Sequence, residues 1–95
     1  MSDIEQNKKD LISYFENFGF KREVTFTNYI ELSRNIENSD KAVTVVIGSK
    51  DYFFVISSEI TGSIYSKHFS LKNTKQVSSN SEKITDLYLF CEELF

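Results

Sequence analysis

The sequence predicts an α+β fold: a two-layer sandwich in which a four-stranded antiparallel meander carries an N-terminal and a C-terminal helix on one face, in the order αββββα. Three observations predict it. Residues 41–58 are rich in β-branched and aromatic side chains around a central turn, residues 23–33 alternate apolar with polar side chains, and both ends of the chain repeat apolar residues every three or four positions. A chain of 95 residues, 40% of them hydrophobic, predicts one domain spanning residues 1–95.

The first helix is predicted over residues 2–18. Ser2 and Glu5 have the spacing of a capping box, in which each side chain satisfies a backbone N–H of the other. Gly19 follows the helix as the usual left-handed residue of a Schellman ending, and it places Phe20 to pack back on Phe15. The predicted apolar face comprises Ile4, Leu11, Ile12, Phe15 and Phe18.

Four strands are predicted to follow. Residues 23–33 form the first, although Asn28 interrupts its apolar side, and the polar loop 34–40 suits an antiparallel connection. Residues 41–58 form a hairpin with its turn at residues 48–51. A second turn at Thr61 and Gly62 leads into an edge strand over residues 63–71, where Lys67 and His68 are well tolerated.

Both faces of the predicted hairpin are apolar. The two sets of side chains that alternate along it are Val43, Val45, Ile47, Tyr52, Phe54 and Ile56 on one face and Ala42, Thr44, Val46, Phe53 and Val55 on the other. Such a nearly continuous apolar run indicates a strand covered on both sides, whereas a strand with one wet face alternates apolar with polar residues. We expect the second face to be covered by a protein partner or a second copy of the chain. The alternative is a curled sheet that buries this face itself.

The second helix is predicted to begin at Ser79, because Ser79 and Glu82 repeat the capping-box spacing after a polar linker over residues 72–78. Leu89 and Phe90 lie off its apolar stripe and give the helix more apolar surface than one sheet face requires. The stripe itself comprises Ile84, Leu87, Tyr88, Cys91, Leu94 and Phe95.

Charge and composition narrow the function classes. The net charge of −3 and the pI near 5.1 argue against binding to nucleic acid by bulk charge. A single cysteine forms no intrachain disulfide, and the sequence shows neither the apolar core of a signal peptide nor a membrane-spanning stretch. We therefore expect a cytoplasmic protein without a membrane partner, in a bacterial cell or an infected host cell.

No residue pattern predicts catalysis, a metal or a cofactor, so we expect a protein that is not an enzyme. His68 is the only histidine and is interpreted as a surface residue of the edge strand, because a zinc site needs three or four ligands at short spacings. Cys91 lies in the middle of an apolar helix face, where it is interpreted as a core residue with a quiet thiol. The three glycines are interpreted as structural.

Two surfaces are candidates for binding. The first is an acidic strip with adjacent apolar residues on the second helix, suited to a basic protein; its residues are Glu82, Asp86, Leu89, Phe90, Glu92 and Glu93. The second interleaves lysines with aromatic residues along the edge strand, the minimal pattern for single-stranded nucleic acid; its residues are Tyr65, Lys67, Phe69, Lys72 and Lys75. Nucleic acid is the less favoured partner because the net charge is negative.

The function expected from these features is stoichiometric binding to a protein by a small non-enzymatic module. Lysine outnumbers arginine, and isoleucine, asparagine and serine are plentiful, as in AT-rich coding sequences. In size, acidity and this composition the chain resembles the small phage-encoded inhibitors of bacterial defence nucleases, such as anti-CRISPR proteins. The resemblance implies a phage or mobile-element source and a basic, nucleic-acid-handling protein as partner. The alternatives are a nucleic-acid-binding sheet protein, an acidic dimeric chaperone of the secretion type and a small enzyme.

Overall fold

A helix at each end of the chain and a five-stranded antiparallel sheet between them make up the computed structural model, which describes residues 3–25 and 29–94. The elements are α1 (Asp3–Asn17), β1 (Lys21–Thr25), β2 (Ile30–Asn35), β3 (Lys41–Ile47), β4 (Asp51–Ser58), β5 (Gly62–Ser70) and α2 (Thr74–Leu94). The strands lie in the sheet in chain order. The predicted α+β class with an antiparallel meander is confirmed, and the predicted number of four strands is wrong.

The extra strand comes from the segment predicted as one strand over residues 23–33. β1 and β2 pair antiparallel, with Arg22 opposite Leu32 and Thr25 opposite Ile30, so the chain reverses direction between them. Alternation of apolar and polar residues continues across the reversal and therefore hides it in the sequence. The interruption at Asn28 was the available signal; residues 26–28 lie outside the described residues.

The hairpin and the edge strand agree with the prediction. β3 and β4 pair with Val45 opposite Phe54, and the Gly48 amide donates to the Asp51 carbonyl across the turn at 2.8 Å. Among the described strands, β5 pairs with β4 alone and forms one edge of the sheet. Because an edge strand has a neighbour on one side only, one backbone edge of β5 faces outward.

The end of α1 follows the predicted Schellman motif. Gly19 has a φ of +96°, the Phe20 amide donates to the Phe15 carbonyl at 2.9 Å, and the Gly19 amide donates to the Glu16 carbonyl at 3.1 Å. The Phe15 and Phe20 ring centroids lie 5.1 Å apart. The predicted capping box involves Ser2, which lies outside the described residues.

The start of α2 differs from the prediction. The helix begins at Thr74, and Asn73 caps it: the Asn73 Oδ1 accepts from the Gln76 amide at 3.1 Å. Ser79 and Glu82 are therefore interior residues and form no capping box. Asparagine caps helices as well as serine does, so the polar segment 72–78 contained a second candidate start.

The end of α2 also differs. Leu94 was predicted to complete the buried stripe, but its side chain is 60% exposed, whereas Cys91, one turn earlier, is buried. Among the described residues, the buried stripe of α2 therefore ends at Cys91. Phe95, the other predicted member of the stripe's end, lies outside the described residues.

Side chains of both helices and of one sheet face share a single core. Leu11 and Phe15 from α1 and Ile84 from α2 belong to the same buried cluster as Val43 and Val45. Hydrogen bonds fix the layers: the Asn7 Nδ2 donates to the Leu71 carbonyl and the Tyr88 hydroxyl donates to the Asn35 carbonyl, each at 2.8 Å. The helices therefore cover the sheet face whose residues include Val43, Val45, Ile47, Tyr52, Phe54 and Ile56.

Candidate functional site

The solvent side of α2 carries three carboxylates beside two large apolar side chains. Because a helix advances about 100° per residue, residues separated by three, four, seven, eight and eleven positions share one side. Leu89 is 48% and Phe90 55% exposed. We call this surface the α2 strip; its residues are Glu82, Asp86, Leu89, Phe90 and Glu93, five of the six predicted partner-binding residues.

The opposite side of α2 explains why the strip faces solvent. Ile84, Tyr88 and Cys91 are buried in the core, and Ser81 is buried with its hydroxyl donating to the Val77 carbonyl at 2.8 Å. Thr85 is buried on the same side, and its hydroxyl donates to the Glu82 carbonyl at 2.9 Å, so both buried hydroxyls have hydrogen-bond partners. The strip therefore lies on the side of α2 that points away from the sheet.

Glu92 does not belong to the strip, contrary to the prediction. It lies on the flank of α2 and is half-buried. Burial raises the pKa of the Tyr88 phenol; the Arg34 guanidinium opposes this shift, and the Glu92 carboxylate adds to it. The sequence grouped Glu92 with Glu93 because the two are adjacent, but adjacent residues of a helix point in different directions.

A groove between β5 and α2 forms a second surface. We call it the β5–α2 groove, and its volume is about 260 Å³. The lining residues are Phe54, Tyr65, Lys67, Phe69, Lys83, Ile84 and Leu87. The floor is aromatic, since the Phe54 ring lies 6.2 Å from the Phe69 ring and 5.7 Å from the Tyr65 ring, measured between centroids. The groove thus combines an apolar floor with two ammonium groups.

Three of the five residues predicted for a nucleic-acid edge line this groove. Tyr65, Lys67 and Phe69 alternate along β5 and so share one side of it, and the Lys67 Nζ lies 5.6 Å from the Phe69 ring centroid. Lys72 and Lys75 are exposed beyond the end of β5 and do not line the groove. The predicted edge is therefore shorter than the sequence suggested.

Sequence reasoning missed Lys83, the second cation of the groove. Lys83 precedes the buried Ile84, so it lies at the border of the apolar stripe. This border position could have indicated Lys83 from the sequence. A lysine at such a border extends its apolar stem along neighbouring side chains and keeps its charge in water.

The sheet face opposite the helices is the third surface. Val46, Phe53 and Val55 are half-buried there, as expected for a face without a covering helix. His68 lies opposite Phe53 in the register, is exposed, and has its ring centroid 4.6 Å from that of Phe53. A shallow hollow of about 490 Å³ at one end is lined by Tyr29, Val46, Gly48, Ser49, Lys50, Asp51, Phe53 and His68.

The ionisable groups of the core fit packing roles. Cys91 is a free, buried cysteine, and burial raises the pKa of its thiol, which disfavours the reactive thiolate. Within residues 3–25 and 29–94, no three histidine, cysteine, aspartate or glutamate side chains come together in a way that could hold a metal ion.

Compared with known proteins, the chain matches no family model, no curated protein and no solved structure. In the part of the chain that the structure describes, neither helix is both long and apolar enough to cross a membrane.

Proposed function

We propose that the protein is a small non-enzymatic module that binds a basic protein stoichiometrically through the α2 strip. The observation that carries the proposal is the arrangement of Leu89 and Phe90 between carboxylates on one exposed side of a 21-residue helix. Exposed apolar and aromatic side chains anchor protein interfaces, and the charges around them steer the encounter and select the partner.

A nuclease is a suitable partner for such a strip. Proteins that bind nucleic acid carry lysine and arginine surfaces that neutralise phosphates. A rigid helix with carboxylates at regular spacing can occupy such a surface and exclude the nucleic acid. We propose accordingly that the protein inhibits a defence nuclease of the bacterial cytoplasm and comes from a phage or another mobile element.

Calorimetric titration of purified bacterial RNA-guided DNA nucleases with the protein tests the proposal. We expect one-to-one binding to a susceptible nuclease and at least a tenfold loss of affinity for the Leu89→Ala/Phe90→Ala variant. Replacing Glu82 and Asp86 by glutamine should slow association and reduce its salt dependence.

Ile60 offers the matched apolar control, because its side chain is 83% exposed in the turn between β4 and β5. Ile60→Ala should bind as the unchanged protein does. The proposal is wrong if a nuclease binds the protein but tolerates the changes at Leu89 and Phe90, or if none of the nucleases binds at all.

The second candidate function, binding of single-stranded nucleic acid, has one favourable observation. Tyr65, Lys67 and Phe69 lie side by side in the β5–α2 groove, and Lys83 adds a second charge. Aromatic side chains between cations can stack bases and contact phosphates. Two cations provide few phosphate contacts, however, so this candidate ranks below the first.

A further inference from the structure

The two helices leave part of the sheet face that they pack on uncovered. Strands lie about 4.8 Å apart and helices with their side chains are about 10 Å wide, so two helices cover about four strands. α1 and α2 lie side by side, with the Tyr14 hydroxyl 3.1 Å from the Thr85 hydroxyl. α2 contacts β5, but residues 62–68 of β5 are exposed, so this edge strand is only partly covered. The β5–α2 groove lies where the cover that α2 gives to β5 ends.

The lining of the groove specifies the occupant. Tyr65, Phe69 and Leu87 require apolar side chains above them, and the ammonium groups of Lys67 and Lys83 require carboxylates beside those apolar groups. An amphipathic helix with an acidic and apolar exposed side meets both requirements. The α2 strip of this same chain is such a surface, since its apolar residues Leu89 and Phe90 lie between carboxylates along the helix.

We propose that the β5–α2 groove of one copy receives the α2 strip of a second copy, and that the two copies form a two-fold symmetric dimer. The strip points away from its own sheet, so α2 of the second copy can lie beside α2 of the first with its strip directed at β5. The two-fold axis repeats the contact in the opposite sense. Each surface is then used twice, as an isologous interface requires.

The dimer has a consequence for partner binding. The α2 strip is covered in the dimer, so a basic protein has to displace the second copy before it can bind. This consequence rests on the proposed function, whereas the dimer itself does not. If the protein is a dimer but binds no nuclease, the proposed dimer stands and the proposed function fails. If the protein is a monomer and binds a nuclease, the proposed function stands and the proposed dimer fails.

Charge reversal tests the interface. We expect the unchanged protein to be a dimer by light scattering, and both Lys67→Glu/Lys83→Glu and Glu82→Lys/Asp86→Lys to be monomers, because each variant opposes like charges in its own dimer. Mixed in equal amounts, the two variants should form a dimer again. The acidic groove of one variant then meets the basic strip of the other, and the unchanged basic groove meets the unchanged acidic strip, so both contacts join opposite charges. Native mass spectrometry distinguishes this heterodimer by its mass.

Two matched variants control for general charge effects. Lys9→Glu/Lys50→Glu and Glu23→Lys/Glu59→Lys change the same charges at exposed sites outside the groove and the strip, and both should remain dimers. Circular dichroism establishes that every variant is folded. A monomeric unchanged protein, a dimer that survives both reversals, or folded variants that fail to reassociate would each overturn the proposal. So would a monomer whose binding to a single-stranded oligonucleotide is lost on Lys67→Glu/Lys83→Glu, because the groove would then belong to nucleic acid.

Discussion

The Asp40 side chain links the start of β3 to the end of β4 through polar contacts with Lys41 and Ser58. Its carboxylate accepts a hydrogen bond from the Ser58 hydroxyl and lies 3.1 Å from the Lys41 ammonium, measured from Oδ1 to Nζ. The Ser58 oxygen in turn accepts from the Ile60 amide at 3.1 Å. The hydrogen bond from Ser58, followed by that from Lys41, lowers the pKa of Asp40 below its ordinary value of 3.8.

This lowered pKa predicts how Asp40→Asn depends on pH. A carboxyl whose pKa is lower in the folded state stabilises the fold above its unfolded pKa, and the contribution is lost as the pH falls through the folded pKa. Asp40→Asn should therefore melt at a lower temperature than the unchanged protein at pH 7, and the difference should close on acidification below pH 3.8. Thermal melts across this range check it, with Glu59→Gln as an exposed control. A difference that stays constant with pH would contradict the interpretation.

Tyr52 and Tyr88 make a matched pair of buried tyrosines with different hydroxyl environments. Burial raises the pKa of the Tyr52 phenol to about 12, and the Asn80 side chain opposes this shift. Among the described residues, the Tyr52 oxygen has no hydrogen-bond partner of ordinary geometry. The Tyr88 hydroxyl donates to the Asn35 carbonyl at 2.8 Å. The two hydroxyls therefore contribute differently to stability.

We predict that Tyr52→Phe leaves the free energy of unfolding unchanged or raises it, because it removes a desolvated group that gains no hydrogen bond. Tyr88→Phe should cost about 1 kcal/mol, because it removes one hydrogen bond and leaves the Asn35 carbonyl without its donor. Urea unfolding of both variants measures the two changes. Equal losses in the two variants would mean that Tyr52 is hydrogen-bonded in solution.

At the scale of an element, the start of α2 is the feature most open to measurement. Asn73→Ala removes the side chain that accepts from the Gln76 amide and should cost about 0.5–2 kcal/mol of stability. Ser79→Ala, at the start that the sequence predicted, should change stability by less than about 0.5 kcal/mol, because the residue is exposed in the helix interior. Urea unfolding compares the two, and a larger loss at Ser79 would place the cap there.

The elements show what sequence periodicity can and cannot predict here. The Schellman ending at Gly19 and the hairpin turn after Gly48 depend on neighbouring residues, so the sequence located them correctly. The reversal between β1 and β2 preserves the alternation of apolar and polar side chains, so the sequence pattern did not reveal it. Leu94 continues the apolar period of α2 but is exposed, because burial depends on packing between distant segments and not on periodicity within the helix.

The candidate site divides in the same way. Periodicity within a helix or a strand brought together the residues of the α2 strip and the trio of Tyr65, Lys67 and Phe69. Lys83 joined that trio only because α2 packs beside β5, and no pattern within either element encodes their proximity. Sequence reasoning can thus assemble one side of a groove, but the opposing side requires the tertiary arrangement.

At the scale of the molecule, the two faces of the sheet differ in cover. Val43 and Val45 are fully buried beneath the helices, whereas Val46 and Phe53 on the opposite face are half-buried. A half-buried apolar face on a domain of 95 residues is a normal outcome, since a small protein cannot hide all of its apolar surface. The exposed residues of α2 and β5 are therefore more specific indications of binding than this face, because they combine apolar groups with organised charge.

The balance of charge over the molecule leads to the last prediction, which concerns nucleic acid. With a net charge of −3 and two lysines in the groove, we expect no appreciable binding of a fluorescent single-stranded oligonucleotide at physiological salt. Any binding at low salt should weaken with a slope of log affinity against log salt no steeper than about −1.4, because each phosphate contact to a single strand contributes about −0.7. Anisotropy titrations at several salt concentrations measure this slope, with Lys72→Glu/Lys75→Glu as the control outside the groove. A steeper slope that Lys72→Glu/Lys75→Glu also reduces would mean that the phosphates follow the longer edge first predicted from the sequence, and would favour nucleic acid over protein as the ligand of β5.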